Sequence, residues 1–138
     1  PKFDYSLKKQ IVNRKKVYSI DNGLSNANSA SFSGDKGKML ENIVFLALRR
    51  GYKEIFYFQE KKECDFVIKE GTKITHAIQV CFDLNEDVKD REIDGLIEAL
   101  NKFNLKKGLI LTYNQEDKLV YGNKKIQVMP IWKWLTKN

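Results

Sequence analysis

The sequence predicts a mixed α/β domain, with helices on both sides of a central mixed sheet. Three observations carry the prediction. Two stretches, 33–51 and 85–104, repeat their apolar residues at spacings of three and four, as amphipathic helices do. Between them stand three short runs rich in β-branched and aromatic residues, bounded by turn signals. After the second helix comes Gly108-Leu109-Ile110-Leu111-Thr112, nearly uniformly apolar, the pattern of a strand covered on both faces and reached by a parallel crossover.

Taken in order, residues 1–16 are polar and basic and read as an arm or linker packed over a preceding domain, with residues 17–138 forming the domain proper. Val17-Tyr18-Ser19-Ile20 is a short strand closed by the turn Asp21-Asn22-Gly23, and Leu24 to Ser33 lacks periodicity and reads as a loop. The first helix follows, with Ser33 or Asp35 as its N-cap, Met39, Leu40, Ile43, Val44 and Ala47 on its apolar face, and Arg49-Arg50-Gly51 at its end. Ile55 to Gln59, Asp65 to Ile68 and Ile74 to Val80 are strands, the last two joined by a hairpin turn at Glu70-Gly71-Thr72. The second helix carries Val88, Ile93, Leu96, Ile97, Leu100 and Phe103 on one face, with Asn85 or Asp87 as cap. Leu119 to Tyr121 and Ile126 to Val128 flank a Gly122-Asn123 turn, and Pro130 to Leu135 is a brief helix whose Trp132 and Trp134 are expected to cover core edges.

Composition bounds the function classes. A chain of 138 residues, 42% hydrophobic, fits one domain. It has no apolar run near the roughly 18 residues of a membrane span and no signal-peptide pattern, so a cytoplasmic protein is expected. Beginning at Pro1 fits either removal of an initiator methionine or a segment of a longer polypeptide. The two cysteines, Cys64 and Cys81, have no Cys or His at zinc-ligand spacing and are expected to be reduced and strand-borne. The formal charge of +7 permits nucleic-acid binding without requiring it, since scattered lysines also serve solubility. Lone His76 reads as an exposed strand residue, and Phe56, Tyr57 and Phe58 as core.

Chemistry is expected where the second and third strands meet. Metal-dependent phosphodiester cleavage needs hard oxygen ligands around Mg²⁺ or Mn²⁺, and Asp65, the amide oxygen of Gln79 and the carbonyl of Val80 supply oxygens there. Glu41, at the edge of the first helix's apolar stripe, can add a carboxylate.

The order of Glu41, then Asp65 in Glu63-Cys64-Asp65-Phe66, then Gln79-Val80-Cys81 resembles the PD-(D/E)xK nuclease superfamily, the restriction-endonuclease-like fold. More closely, Val17 to Leu24, Gly37-Lys38-Met39-Leu40-Glu41-Asn42, Glu63-Cys64-Asp65-Phe66 and Arg91-Glu92-Ile93 are similar to a domain of unknown function that follows the ATPase core in bacterial and archaeal AAA-type ATP-binding proteins, over about residues 5–136. The resemblance implies a restriction-endonuclease-like αβββαβ core and a longer parent with an N-terminal ATPase domain as its intramolecular partner. The ATPase motif itself is absent, since Gly34-Asp35-Lys36-Gly37-Lys38 lacks P-loop spacing.

By position, the resemblance makes Glu41, Asp65 and Gln79 the metal ligands, beside the Val80 carbonyl already noted, and puts Cys81 in the place of the catalytic lysine. A thiol gives no fixed positive charge to the transition state, a loss of about 3–4 kcal/mol for one donor, and Gln79 removes one negative charge from the metal site. Lys89, Arg91 and Lys38 are the cations that a displaced-lysine arrangement would use. Three readings follow: a degenerate nuclease-like module contacting nucleic acid or protein, an active Mg²⁺- or Mn²⁺-dependent nuclease, and an assembly domain docking on the ATPase.

Overall fold

The computed structural model describes residues 33–137. The arm expected at 1–16, the strand expected at 17–20, and the turn and loop expected up to residue 32 lie outside the described residues. The element order is α1 (Ser33–Gly51), β1 (Glu54–Gln59), β2 (Glu63–Glu70), β3 (Lys73–Val80), α2 (Glu86–Lys102), β4 (Lys107–Thr112), β5 (Asp117–Tyr121), β6 (Lys124–Pro130) and α3 (Ile131–Lys137). The mixed α/β expectation holds. The six strands of the described residues form one sheet in the order β1-β2-β3-β4-β6-β5. β4 pairs in parallel with β3 and β6, and the remaining pairs are antiparallel.

Strand alternation sends successive side chains to opposite faces and so builds two cores. On one face Leu40, Val44 and Leu48 of α1 pack with Phe66, Ile68, Ile78, Val80, Leu111 and Met129. On the other, Ile93, Leu96, Ala99 and Leu100 of α2 cover Cys64, Val67, Ala77, Ile110, Ile126 and Val128. The uniform apolar run of β4 is thus explained, because Ile110 and Leu111 serve different cores.

Local chemistry sets the limits of α2. Asn85 Oδ1 accepts from the N–H groups of Asp87 and Val88 at 2.9 and 3.2 Å, so Asn85 rather than Asp87 is the cap. At the other end Asn104 adopts φ 56°, and the Leu105 N–H returns to the Leu100 carbonyl at 2.8 Å, the hydrogen bond that closes a Schellman motif. In α1, Asp35 lies inside the first turn instead of capping it. Trp132 departs from expectation, being 59% exposed. In α3 the inward positions are Ile131 and, three residues on, Trp134, which rotates Trp132 away from the core. Among the described residues no helix is long and apolar enough to cross a membrane.

One irregularity prepares the site. Phe56 pairs with Val67 and Phe58 with Cys64, so Tyr57 alone faces both Asp65 and Phe66. This β-bulge lets Cys64 and Val67, three apart, enter the same core and breaks the backbone ladder at Asp65.

Candidate functional site

β2 and β3 pair regularly from Glu70–Lys73 to Phe66–Ile78 apart from one irregularity between Ile68 and Lys69. Beyond Phe66–Ile78, side chains replace the ladder. The Asp65 N–H donates to Gln79 Oε1 at 2.8 Å, and the Val80 N–H donates to Asp65 Oδ2 at 2.8 Å. Each strand thereby lends the other a side-chain acceptor where the bulge has displaced a carbonyl. Both side chains are buried, Asp65 at 8% and Gln79 at 1% exposure.

Gln79 reaches further. Its Nε2 donates to the carbonyls of Glu63 and Glu92, each at 2.9 Å, so one amide joins the start of β2 to α2. Two N–H donors and a carbonyl acceptor are the full set of groups that a glutamine offers, and all are engaged. A carboxylate here would present oxygen to both carbonyls, which explains why this position carries an amide. The approach of α2 requires Gly95: a Cβ built there would stand 2.1 Å from the Glu63 carbonyl oxygen and 2.8 Å from Gln79 Nε2. We call this arrangement of Asp65, Gln79, Val80, Glu63, Glu92 and Gly95 the clasp.

Cys81 lies beside it on the α2 face, half-buried, with its thiol donating to the Asp83 carbonyl at 3.3 Å. Burial first, then the charge of Glu92, push the thiol from its ordinary 9.0 up to about 11; Asp65 adds to the rise, while the Asp83 carbonyl contact and Arg91 oppose it. The group is therefore a neutral thiol at physiological pH. Because its folded pKa is raised, the stability linked to Cys81 is intact below pH 9 and falls as pH rises from 9 towards 11. Alkylation of Cys81 by iodoacetamide, followed by mass spectrometry, should rise with a midpoint at about pH 11. A midpoint at the ordinary value would show that burial and Glu92 do not act on it.

The other expected residues are placed as follows. Glu41 is half-buried on α1, over the sheet face opposite α2, whereas Gln79 and Cys81 turn to the α2 face. Lys89 is half-buried in the first part of α2, and Lys38 is exposed on α1. The Arg91 side chain is 65% exposed, 3.4 Å from Glu92. His76 is exposed, as expected, 3.6 Å from Glu70. Phe56, Tyr57 and Phe58 are buried. Among the described residues no group of three or more His, Cys, Asp or Glu side chains is gathered as a metal site.

Sequence reasoning missed three members of the clasp as site residues: Glu63, which like Glu92 answers Gln79 with its backbone oxygen, Glu92 and Gly95. Glu92 contributes a backbone carbonyl that periodicity cannot flag. Gly95 had a signal: a glycine in mid-helix costs about 1 kcal/mol relative to alanine and points to a close backbone approach.

Residues 36–134 match the family described as domain of unknown function DUF4143. The chain is 42% identical to the uncharacterized protein MJ1544 of Methanocaldococcus jannaschii, an alignment covering 95% of this chain and 31% of that protein. It is 31% identical to an uncharacterized protein of Haemophilus influenzae, covering 96% of this chain and 32% of the relative. It thus spans about a third of the length of these curated relatives. No solved structure matches it. The chain belongs to the DUF4143 family.

Proposed function

We propose that the domain is a nuclease-like module of a longer AAA-type ATP-binding protein, that its former metal frame serves as a structural clasp, and that it acts by binding, with nucleic acid as the partner class. The use made of Asp65 and Gln79 carries this reading. A site for Mg²⁺ or Mn²⁺ needs oxygen lone pairs directed into open space, with room for waters. Here one Asp65 oxygen holds the Val80 N–H, and the Gln79 oxygen is buried against the Asp65 N–H. Among the described residues this arrangement argues against a divalent-metal site, and the neutral Cys81 thiol supplies no cation to a phosphoryl group. That the chain spans only about a third of its relatives supports a longer parent.

The active-nuclease reading has one observation in its favour: Glu92, Asp65 and Arg91 all act electrostatically on Cys81, so acid and cation do meet beside the clasp. Incubation with Mn²⁺ and labelled DNA or RNA separates the two readings. The binding reading expects no metal-dependent cleavage and no difference between wild type and Asp65→Ala. Cleavage that needs Mn²⁺ and vanishes in folded Asp65→Ala would overturn it.

A further inference from the structure

Away from the clasp, positive charge collects where the parallel strands begin. Lys73 and Lys107 are the first residues of β3 and β4, and Lys125 is the second of β6. Because β3, β4 and β6 run in parallel, these residues stand at one end of the sheet, opposite the end where Val80 meets Asp65. Lys107 and Lys125 are register partners. Val120 stands across from Lys125 on β5, and Lys118, two residues earlier, shares its face.

These lysines line two clefts of about 430 Å³ each. Lys69, Lys73 and Lys102 line the first, and Lys107, Lys118 and Lys125 line the second. The clefts are neighbours, since Leu105 borders the first and Lys107 the second. Backbone and side-chain bonds brace the segment between them: the Lys125 N–H donates to the Lys106 carbonyl at 2.8 Å, and the buried Lys124 Nζ donates to the Leu105 carbonyl at 2.6 Å. Carboxylates answer only part of the charge. Lys69 stands 3.7 Å from Glu54 and Lys102 3.7 Å from Glu60, whereas Lys73, Lys107, Lys118 and Lys125 make no ion pair among the described residues.

Adjacent ammonium groups without counter-charges repel one another, and a polyanion relieves that repulsion while releasing its own counterions. Concave, lysine-walled clefts suit a ridge of phosphates better than the flat surface of a bilayer. We propose that this end of the sheet binds the phosphate backbone of nucleic acid, on a surface separate from the clasp. The inference rests on the binding reading for the class of partner and adds the location.

Fluorescence anisotropy of a labelled duplex of about 20 base pairs, between about 50 and 200 mM salt, tests it. Lys73→Glu/Lys107→Glu/Lys125→Glu should weaken binding at least tenfold and flatten the salt dependence by about two to three units of slope. Lys53→Glu/Lys61→Glu/Lys137→Glu, an equal charge change at exposed positions outside the clefts, should stay within about threefold of wild type. The altered lysines are exposed, so both variants should fold, with thermal unfolding as the check. Equal weakening by the two triple variants would overturn the location and leave the binding reading standing. A wild-type chain that ignores the duplex, or releases it to phosphatidylserine vesicles, would overturn nucleic acid as the partner.

Discussion

Replacing Gly95 with alanine is expected to destabilise the domain by about 3 kcal/mol, at the upper end of what overpacking costs. The sign is the informative part. Glycine to alanine in a helix interior ordinarily gains about 0.5–1 kcal/mol. At Gly95 the added carbon would meet the Glu63 carbonyl at 2.1 Å, and that oxygen belongs to backbone which moves only if α2 lifts from the sheet. Lifting α2 would also stretch the Gln79 bonds to Glu63 and Glu92. Gly37 in α1 is the internal comparison, because nothing among the described residues lies within 4 Å of a Cβ there and alanine should stabilise. Urea unfolding of both variants reads the opposite signs directly. A stabilised Gly95→Ala would mean that α2 does not sit where the clasp requires.

The second large effect is expected at Gln79. Gln79→Glu keeps the shape and the acceptor but removes both N–H donors, leaving the Glu63 and Glu92 carbonyls facing a buried carboxylate beside Asp65. Leaving a buried charge without compensation costs about 3–5 kcal/mol. Burial and Asp65 should raise the new carboxyl above its unfolded value of about 4.3. With a raised folded pKa, the deficit should be small below about pH 4, where the protonated acid still donates one hydrogen bond, and should grow as pH rises to neutrality. Denaturation at pH 4 and pH 7 checks the direction.

Much of the fold was legible because its signals are local. The spacing of Met39, Leu40, Ile43, Val44 and Ala47 and of Ile93, Leu96 and Leu100 marked the two helices, and uniform Leu109-Ile110-Leu111 marked a strand between two cores. The pairing of Asp65 with Gln79 was also foreseeable, since a hairpin turn at Gly71, with φ 66°, folds the two strands together. What Gln79 does with its amide was not. Its partners Glu63 and Glu92 lie sixteen and thirteen residues away and answer with backbone oxygens, which every residue has. The bulge at Asp65-Phe66 was hidden for a related reason: it depends on the register of β1 against β2, and alternation within either strand does not reveal it. Trp132 was misplaced because a brief helix gives too little periodicity to choose which aromatic turns inward.

Gln79, which stands where the nuclease resemblance would expect a carboxylate, has a positive explanation in the structure: an amide can donate to two carbonyls while accepting from the Asp65 N–H. Unfolding of Gln79→Glu with and without Mn²⁺ tests this most directly, because the substitution returns the carboxylate that a nuclease site would have. If Gln79 is a clasp, the variant stays destabilised and Mn²⁺ at millimolar concentration leaves its stability unchanged. A metal site would recover instead, by about 2.7 kcal/mol at a hundred times its dissociation constant, and such a recovery, lost again on adding Asp65→Ala, would contradict the clasp.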